Sequence, residues 1–312
     1  MGAETAQTER HRAPDEAASD FDMIALFGPT SVGKTGIALE MARLLRQQGQ
    51  DPVVVNCDSI QIYRGLAVLS GAATAAERAE LEHRLVAFVD ASEEMSAGVF
   101  AALAHAEIDE LIRQGRLPMV VGGTGLWLRA ALCELDLRPQ VDIRTRDDVD
   151  REITSRGAPA LHRELPEHLA EKVHPNDRNR ISRWTALVRS GVEPETDSNG
   201  MWAAPMRHPT RLVGLIDDRE ALARRIDRRV DAMAQEAKAE AEALLATDAS
   251  RTARAAIGVE EFITGDLDEI KAQHRAYAKR QVTWMRRMPG VDLIERRGET
   301  DARLARRILG SA

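Results

Sequence analysis

The chain has 312 residues, enough for about two domains, and its 43 basic and 50 acidic residues give a formal net charge of −7. This balance disfavours a simple nucleic-acid-binding protein, and two cysteines exclude a disulfide framework or a four-cysteine metal site. No apolar run approaches the ~20 residues that cross a bilayer, and no signal-peptide core is present, so we expect a cytoplasmic protein without membrane contact.

Residues 1–22 are polar and charged, which is typical of a disordered tail. After them, short apolar runs alternate with helical patterns, as in a sheet built from strand–helix units. The predicted strands are 23–27, 53–57, 85–89 and 117–121, and the predicted helices are 34–48, 97–115 and 124–133. The first part of the chain therefore predicts an α/β fold with a P-loop NTPase-like parallel sheet flanked by helices.

The pattern changes after residue 138, where apolar runs shorten and no strand is evident. Short helices are predicted over 161–169 and 181–188, and a loop over 194–209. A strand pattern returns at 212–216, followed by a long helix from about 218, a strand at 291–294 and a terminal helix. We therefore expect a catalytic core from 23–138 and 205–312, with a mostly helical insertion at 139–204.

A complete phosphate-binding loop follows the first predicted strand. Its eight residues read G-P-T-S-V-G-K-T and are Gly28, Pro29, Thr30, Ser31, Val32, Gly33, Lys34 and Thr35. Backbone N–H groups of such a loop and of the following helix surround a phosphate group. Lys34 adds a positive charge, and the Thr35 hydroxyl can reach a Mg²⁺ ion held by the phosphates. The loop predicts binding of a diphosphate or triphosphate but leaves the reaction open.

Polar residues follow two further strands, at the sheet edge where open α/β sheets bind ligands. Asp58 is the only strand-end carboxylate recognisable near the loop, and it can serve as a ligand in the outer Mg²⁺ sphere, as a general base or as a helix cap. Thr124, after Gly122 and Gly123, can line the site or simply cap a turn. Gln61 and Tyr63 can read the edge of a base.

Residues 271–290 carry six basic side chains and no acidic one. Such a segment can pair with nucleic-acid phosphates or form a solvated helix face, and composition alone does not distinguish the two.

Several separate motifs resemble the tRNA dimethylallyltransferases, also called tRNA isopentenyltransferases, of bacterial type. They are the phosphate loop, N-C-D-S-I-Q-I-Y-R-G from Asn56, V-V-G-G-T-G-L-W from Val120, V-H-P-N-D from Val173, N-R-I-S-R from Asn179, R-I-D-R-R-V from Arg225, A-I-G from Ala256 and A-K-R-Q-V-T-W from Ala278. They occur in the family's order and span residues 23 to about 295.

The resemblance implies that the loop binds dimethylallyl diphosphate, with Mg²⁺ reached by Thr35 through the diphosphate. The acceptor it implies is the exocyclic amine of the adenosine on the 3′ side of the anticodon, in tRNAs that read codons beginning with U. It implies Asp58 as the general base, Thr30 beside the bridging oxygen and Arg229 on the leaving diphosphate. On residue pattern alone, Arg229 belongs to an arginine-rich helix whose default is a solvated face.

The resemblance also implies contacts with the anticodon stem-loop of tRNA. The matching positions are Asp58, Ser59, Ile60, Gln61, Thr124, Arg146, Asn179, Arg180, Ile181, Ser182, Arg183, Lys279, Arg280, Gln281, Trp284 and Arg286. It further implies a monomer with no obligate protein partner.

The sequence departs from the family on the acceptor side, at residues 69–73, Met95, Trp127 and Val259. Three other functions remain open from the residues. A prenyltransferase acting on free adenine nucleotides needs the same loop and base but no RNA surface. A P-loop kinase or switch lacks its usual later strand-end carboxylate here. An RNA-binding module without catalysis would not need Thr30, Lys34, Thr35 and Asp58.

Overall fold

A parallel β-sheet forms the centre of the protein, in a computed structural model that describes residues 21–135, 137, 141–194 and 199–310. Its six strands follow the order β3-β2-β4-β1-β5-β6, and every neighbouring pair is parallel. The strands are β1 (Met23–Phe27), β2 (Pro52–Asn56), β3 (His83–Arg84), β4 (Leu117–Gly122), β5 (Thr210–Ile216) and β6 (Asp292–Glu295). The predicted α/β class is confirmed.

Helices cover the sheet and form the segment between β4 and β5. Within the described residues they are α1 (Lys34–Gln47), α2 (Ala67–Ser70), α3 (Ala75–Glu80), α4 (Ala97–Arg113), α5 (Gly125–Leu132), α6 (Ile143–Arg156), α7 (Ala158–His162), α8 (Glu167–Ala170), α9 (Arg178–Arg189), α10 (Asn199–Ala203), α11 (Arg219–Leu245), α12 (Arg251–Arg254), α13 (Val259–Thr264), α14 (Leu267–Met285) and α15 (Asp301–Leu309). Strands β1 and β2 are buried along their whole length, which explains their unbroken apolar runs.

The predicted strand at 85–89 is wrong. The strand in this region is only His83–Arg84, and the chain then leaves the sheet. Leu85 and Ala87 both have positive φ, at 58° and 50°, a backbone conformation incompatible with an extended strand. The run contributes to packing outside the sheet: Val89 is buried, and its backbone forms an isolated β-bridge with Tyr63. The run therefore marked a segment that packs against the core, with Leu85 and Phe88 partly buried, but it did not indicate the backbone conformation.

The described residues of the segment predicted to be a helical insertion form helices α6 to α10 with connecting turns, and no strand is found among them. The segment has a small core of its own, in which Val149, Leu161, Leu169 and Trp184 are buried together. An ion pair of 3.0 Å between Arg251 and Asp150 links it to the rest of the chain. The loop predicted over 194–209 contains α10, and its residues 195–198 lie outside the described residues.

Residues 1–20 of the predicted tail also lie outside the described residues. Its last two residues already belong to the folded part of the chain, because the Asp22 amide donates a hydrogen bond of 2.8 Å to the carbonyl of Pro209 and Phe21 packs against the core. Within the described ranges, no helix has the length and apolarity needed to cross a membrane.

Candidate active site at the phosphate loop

The phosphate loop connects β1 to α1 at the carboxyl edge of the sheet. Gly33 takes a left-handed conformation with φ of 98° immediately before α1, where a side chain would be strained and would overlap the guanidinium of Arg296. Ser31 also has a positive φ, 62°, and its buried hydroxyl oxygen has no partner among the described residues. With this loop conformation, the N-terminus of α1 and its free backbone N–H groups face the loop, an arrangement that favours the binding of an anion.

Lys34 is the first residue of α1 and folds back over the loop. Its ammonium donates hydrogen bonds to the carbonyls of Gly28 at 2.9 Å and Pro29 at 3.1 Å. Burial lowers the pKa of Lys34 to about 8, with the Asp58 charge raising it and the Arg229 charge lowering it. The protein alone therefore stabilises the ammonium form of Lys34 only in part, and an anion bound in the loop would stabilise it further.

Arg229 reaches the loop from the long helix α11. One guanidinium nitrogen donates to the Thr30 hydroxyl at 2.9 Å. The guanidinium lies against Gly71, whose φ of 62° and missing side chain leave room for it. Burial lowers the pKa of Arg229, and the Asp58 charge raises it. Arg229 is therefore not part of a solvated face, and the structure brings it together with Thr30 and Lys34 as the resemblance implies.

Asp58 follows β2 and faces these two cations. One carboxylate oxygen, Oδ1, accepts hydrogen bonds from the amides of Ile60 at 3.0 Å and Gln61 at 3.4 Å, which fixes the side chain on the turn that follows β2. The other oxygen has no hydrogen-bond partner among the described residues. Asp58 is thus a turn-capping residue and also a carboxylate with one oxygen available beside the loop.

Thr124 and Tyr277 form the wall next to Asp58. The Thr124 hydroxyl lies 3.4 Å from the Ser59 amide and 3.4 Å from the Tyr277 hydroxyl. Burial raises the pKa of Tyr277, and the neighbouring Asp58 charge raises it further. Tyr277 therefore remains a neutral donor and acceptor at the site. No sequence pattern singled out Tyr277, although it lies in the same helix as four residues predicted to contact RNA.

The side chain of Gln61 makes hydrogen bonds within the protein. Its amide nitrogen donates to the carbonyls of Ser70 at 3.4 Å and Gly71 at 3.2 Å, so it supports the segment on which Arg229 rests. Glu240 of α11 supports the same segment, because its carboxylate accepts from the amides of Val68 and Leu69.

The predicted RNA contacts in the insertion lie on α9 and α6. Ile181 is fully buried in the core of the insertion, and the Ser182 hydroxyl donates to Asp150 at 2.7 Å. Asn179 and Arg180 are exposed. Partial desolvation and the charge of Arg146 lower the pKa of Arg183, and Arg146 itself pairs with Glu94 at 3.0 Å.

The basic helix α14 has two different kinds of cation. Lys271 pairs with Asp231 at 2.6 Å and Arg275 with Asp227 at 2.5 Å, so these two bind the helix to α11. The three predicted RNA-contacting cations are exposed and are Lys279, Arg280 and Arg286. The aromatic ring of Trp284 packs against Gly125 and lies 5.0 Å from the ring of Trp202.

Gln281, on the opposite face of α14, is 4 % exposed and points into the site. It accepts a hydrogen bond from the Thr30 amide at 2.8 Å. Its buried position differs from that of the exposed Lys279 and Arg280, which were also predicted to contact RNA from α14.

A second strand-end carboxylate was missed by the sequence analysis. Asp217 directly follows β5, the neighbour of β1, and its side chain is 2 % exposed. The Nε of Arg225 lies 3.6 Å from it. Burial lowers the pKa of Arg225, and the positive charge of Arg296 lowers it further. Arg296 in turn donates a hydrogen bond of 2.7 Å to the Val32 carbonyl in the phosphate loop. No motif marks Asp217, and only the strand order places it beside the loop.

Comparison with known proteins gives the same family from three directions. A family model described as IPP transferase matches residues 61–288. A tRNA dimethylallyltransferase of Anaeromyxobacter sp. (strain Fw109-5) is 38 % identical over 300 residues, covering 92 % of this chain and 98 % of the relative. One from Exiguobacterium sp. (strain ATCC BAA-1283 / AT1b) is 37 % identical, covering 85 % and 87 %. The crystal structure of a tRNA isopentenylpyrophosphate transferase from Bacillus halodurans is similar with a TM-score of 0.65 at 30 % identity, covering 93 % and 96 %.

Proposed function

The chain belongs to the IPP transferase family, and we propose that it transfers a dimethylallyl group from dimethylallyl diphosphate to tRNA. The acceptor is the exocyclic amine of the adenosine on the 3′ side of the anticodon, in tRNAs that read codons beginning with U. The names of the relatives support the transferred group and the RNA. The observation that carries the chemistry is that Asp58, Lys34 and Arg229 converge on one loop, close enough for their charges to act on one another.

The loop side of the site binds and activates the donor. Backbone amides at the start of α1, the Lys34 ammonium and the Arg229 guanidinium surround the position of the diphosphate. As the allylic carbon–oxygen bond breaks, negative charge collects on the leaving diphosphate, and these cations stabilise it more than they stabilise the ground state. The Thr30 hydroxyl accepts a hydrogen bond from Arg229 at 2.9 Å, which supports a role in donating its own proton to the bridging oxygen.

The Asp58 side of the site binds the acceptor. An adenine exocyclic amine is a weak nucleophile, so removing its proton while the new nitrogen–carbon bond forms lowers the barrier. In this step the carbon–oxygen bond to diphosphate breaks, the nitrogen–carbon bond forms, and the amine proton passes to the free oxygen of Asp58. For this geometry the adenosine must leave the anticodon stack, as enzymes that modify bases commonly require. Ser59, Ile60 and Thr124 line its path.

We propose Mg²⁺ as the cofactor, held by the diphosphate oxygens and the Thr35 hydroxyl. Mg²⁺ favours oxygen ligands and keeps several waters, so a single protein hydroxyl beside a diphosphate suits it. The described residues contain no cluster of three or more His, Cys, Asp or Glu side chains that could hold a metal ion without the diphosphate. When bound, the ion supplies additional neutralisation of the leaving group.

Cations of the helical insertion and of the α14 region bind the anticodon stem-loop. On the insertion, burial and then the like charge of Arg146 lower the pKa of Arg183, and Arg146 itself pairs with Glu94 at 3.0 Å. A phosphate between the two arginines would remove this repulsion. Exposed cations of α14 extend the surface from the site outward, at Lys279, Arg280 and Arg286. Contacts of this kind go mainly to the RNA backbone and position the loop. We propose that the protein acts in the cytoplasm as a monomer without an obligate protein partner.

The test is transfer from labelled dimethylallyl diphosphate with Mg²⁺ to three acceptors. They are an anticodon stem-loop with adenosine on the 3′ side of the anticodon, the same stem-loop with guanosine there, and AMP. We expect product only on the adenosine stem-loop. Product on AMP alone would assign the activity to small-nucleotide prenylation. Absence of product on all three would overturn the proposal.

A further inference from the structure

One buried carboxamide connects the two halves of the site. Gln281 of α14 accepts a hydrogen bond from the Thr30 amide at 2.8 Å through Oε1, and its Nε2 donates to the Gly123 carbonyl at 2.8 Å. The side chain is 4 % exposed, so both groups are satisfied away from water.

The two hydrogen bonds define the orientation of the carboxamide. The Thr30 amide can only donate and the Gly123 carbonyl can only accept, so a flipped carboxamide would bring two donors together at one end and two acceptors at the other. The approach is also close, since a side chain on Gly123 would overlap Nε2 of Gln281. Glutamine alone among similar side chains provides an acceptor and a donor at these two points.

The two loops held in this way bind different substrates in the proposed reaction. Thr30 belongs to the phosphate loop, and its hydroxyl accepts from Arg229. Gly123 directly precedes Thr124, whose hydroxyl contacts Ser59 and Tyr277 on the acceptor side. The distance between the diphosphate and the acceptor amine therefore depends on how these loops are spaced.

We propose that Gln281 is a positioning residue that sets the spacing between the donor and acceptor halves of the site. The inference rests on the proposed function and replaces the RNA contact that the sequence implied for this residue. Group transfer requires reacting atoms within about 3–3.5 Å, so a small change in loop spacing lowers the rate of transfer strongly while leaving the affinity for each substrate nearly intact.

The experiment compares Gln281→Met, which removes both hydrogen bonds at similar volume, with Gln281→Glu, which keeps an acceptor for Thr30 but loses the donor to Gly123. Gln273→Met is the matched control, because Gln273 lies on the same helix and, within the described part of the chain, its side-chain amide donates to Glu261 and Glu269 and not to the site. Three quantities are measured: the single-turnover rate with saturating donor and stem-loop, the affinity for the stem-loop, and hydrogen exchange of the Thr30 amide without RNA.

We expect the single-turnover rate of Gln281→Met to fall by roughly tenfold to a hundredfold, with stem-loop affinity within about twofold of wild type. The Thr30 amide should exchange faster in Gln281→Met and stay protected in Gln281→Glu, whose transfer rate nevertheless falls. Gln273→Met should match wild type in all three.

An unchanged rate in Gln281→Met, or a loss that lies wholly in stem-loop affinity, would overturn the proposal. If wild type transferred nothing to RNA, the proposed function would fail, and the exchange of Thr30 would still report on the hydrogen bond separately.

Discussion

The donor side and the RNA side of this protein use charge in opposite ways. At the phosphate loop, Lys34 and Arg229 are desolvated, and the pKa of each is lowered mainly by burial. On the RNA side, the predicted contacts include exposed cations such as Arg180 and Arg286. A small fixed anion can be met by a buried, preorganised site, where each charge acts strongly. A large flexible polyanion requires accessible cations whose effect is individually weak and sensitive to salt.

The largest effect is expected where the two sides meet, at Asp58. Asp58→Asn keeps the hydrogen bonds to the Ile60 and Gln61 amides through its carbonyl oxygen but removes the base. We expect the single-turnover rate to fall by about 10²–10⁴-fold, with donor and stem-loop affinities nearly unchanged. Asp248→Asn, an exposed position, serves as the control. A variant Asp58→Asn with wild-type rate would show that Asp58 only caps the turn.

The next effect distinguishes a partly buried arginine at the phosphate loop from its exposed neighbour. Arg229→Met removes the guanidinium that contacts Thr30, and we expect the transfer rate to fall by about 10²–10³-fold. Arg228→Met changes the adjacent, exposed residue of α11 and should retain nearly full activity. Equal losses in the two variants would contradict the assignment of Arg229 to the leaving diphosphate.

A moderate effect is expected from pH on donor binding. With a pKa of about 8, Lys34 is largely neutral above that pH in the free protein, and a bound diphosphate favours the ammonium form and raises its pKa. Binding should therefore take up a proton above pH 8, and donor affinity should decrease as the pH rises through this range. Calorimetry at pH 8.5 in buffers of different ionisation enthalpy measures the uptake, and Lys34→Met should abolish it. Proton release on binding would show that the sign is wrong.

The smallest effect concerns single contacts to RNA. Arg286→Ala should lower the slope of log affinity against log salt for the stem-loop by roughly 0.7–0.9, the contribution of one phosphate contact. Arg275→Ala, on the same helix, removes a side chain already paired with Asp227 and should change the slope little. The measurement is a salt titration of stem-loop binding by both variants. A larger change in this slope for Arg275→Ala than for Arg286→Ala would contradict the assignment of Arg286 to the RNA-contacting side of α14.

The phosphate loop was predictable from sequence because its function is carried by eight consecutive residues. The strand-end positions of Asp58 and Thr124 followed from the strand–helix pattern, which confirms the α/β interpretation in this region. The strand predicted over 85–89 failed because an apolar run reports burial, whereas the positive φ values of Leu85 and Ala87 depend on tertiary packing.

Other features of the site were beyond sequence reasoning for a different physical reason. Gln281 and Thr30 are 251 residues apart, and no local pattern reports a hydrogen bond across that separation. Asp217 follows the strand next to the one that leads into the loop, and this neighbourhood depends on the pairing of β5 with β1. The basic segment was recognised, but its division into paired and exposed cations depends on acids of α11, Asp227 and Asp231, which pack against it.

The most direct test of the central claim is the nucleoside composition of tRNA from a bacterial host that lacks its own tRNA dimethylallyltransferase and expresses this chain. Digestion and mass spectrometry of individual tRNAs should place N6-(dimethylallyl)adenosine on the 3′ side of the anticodon in tRNAs reading codons that begin with U, and the same host expressing Asp58→Asn should lack it. Unmodified tRNA, or prenyl groups found only on free adenine nucleotides, in a host producing the folded protein would contradict the account.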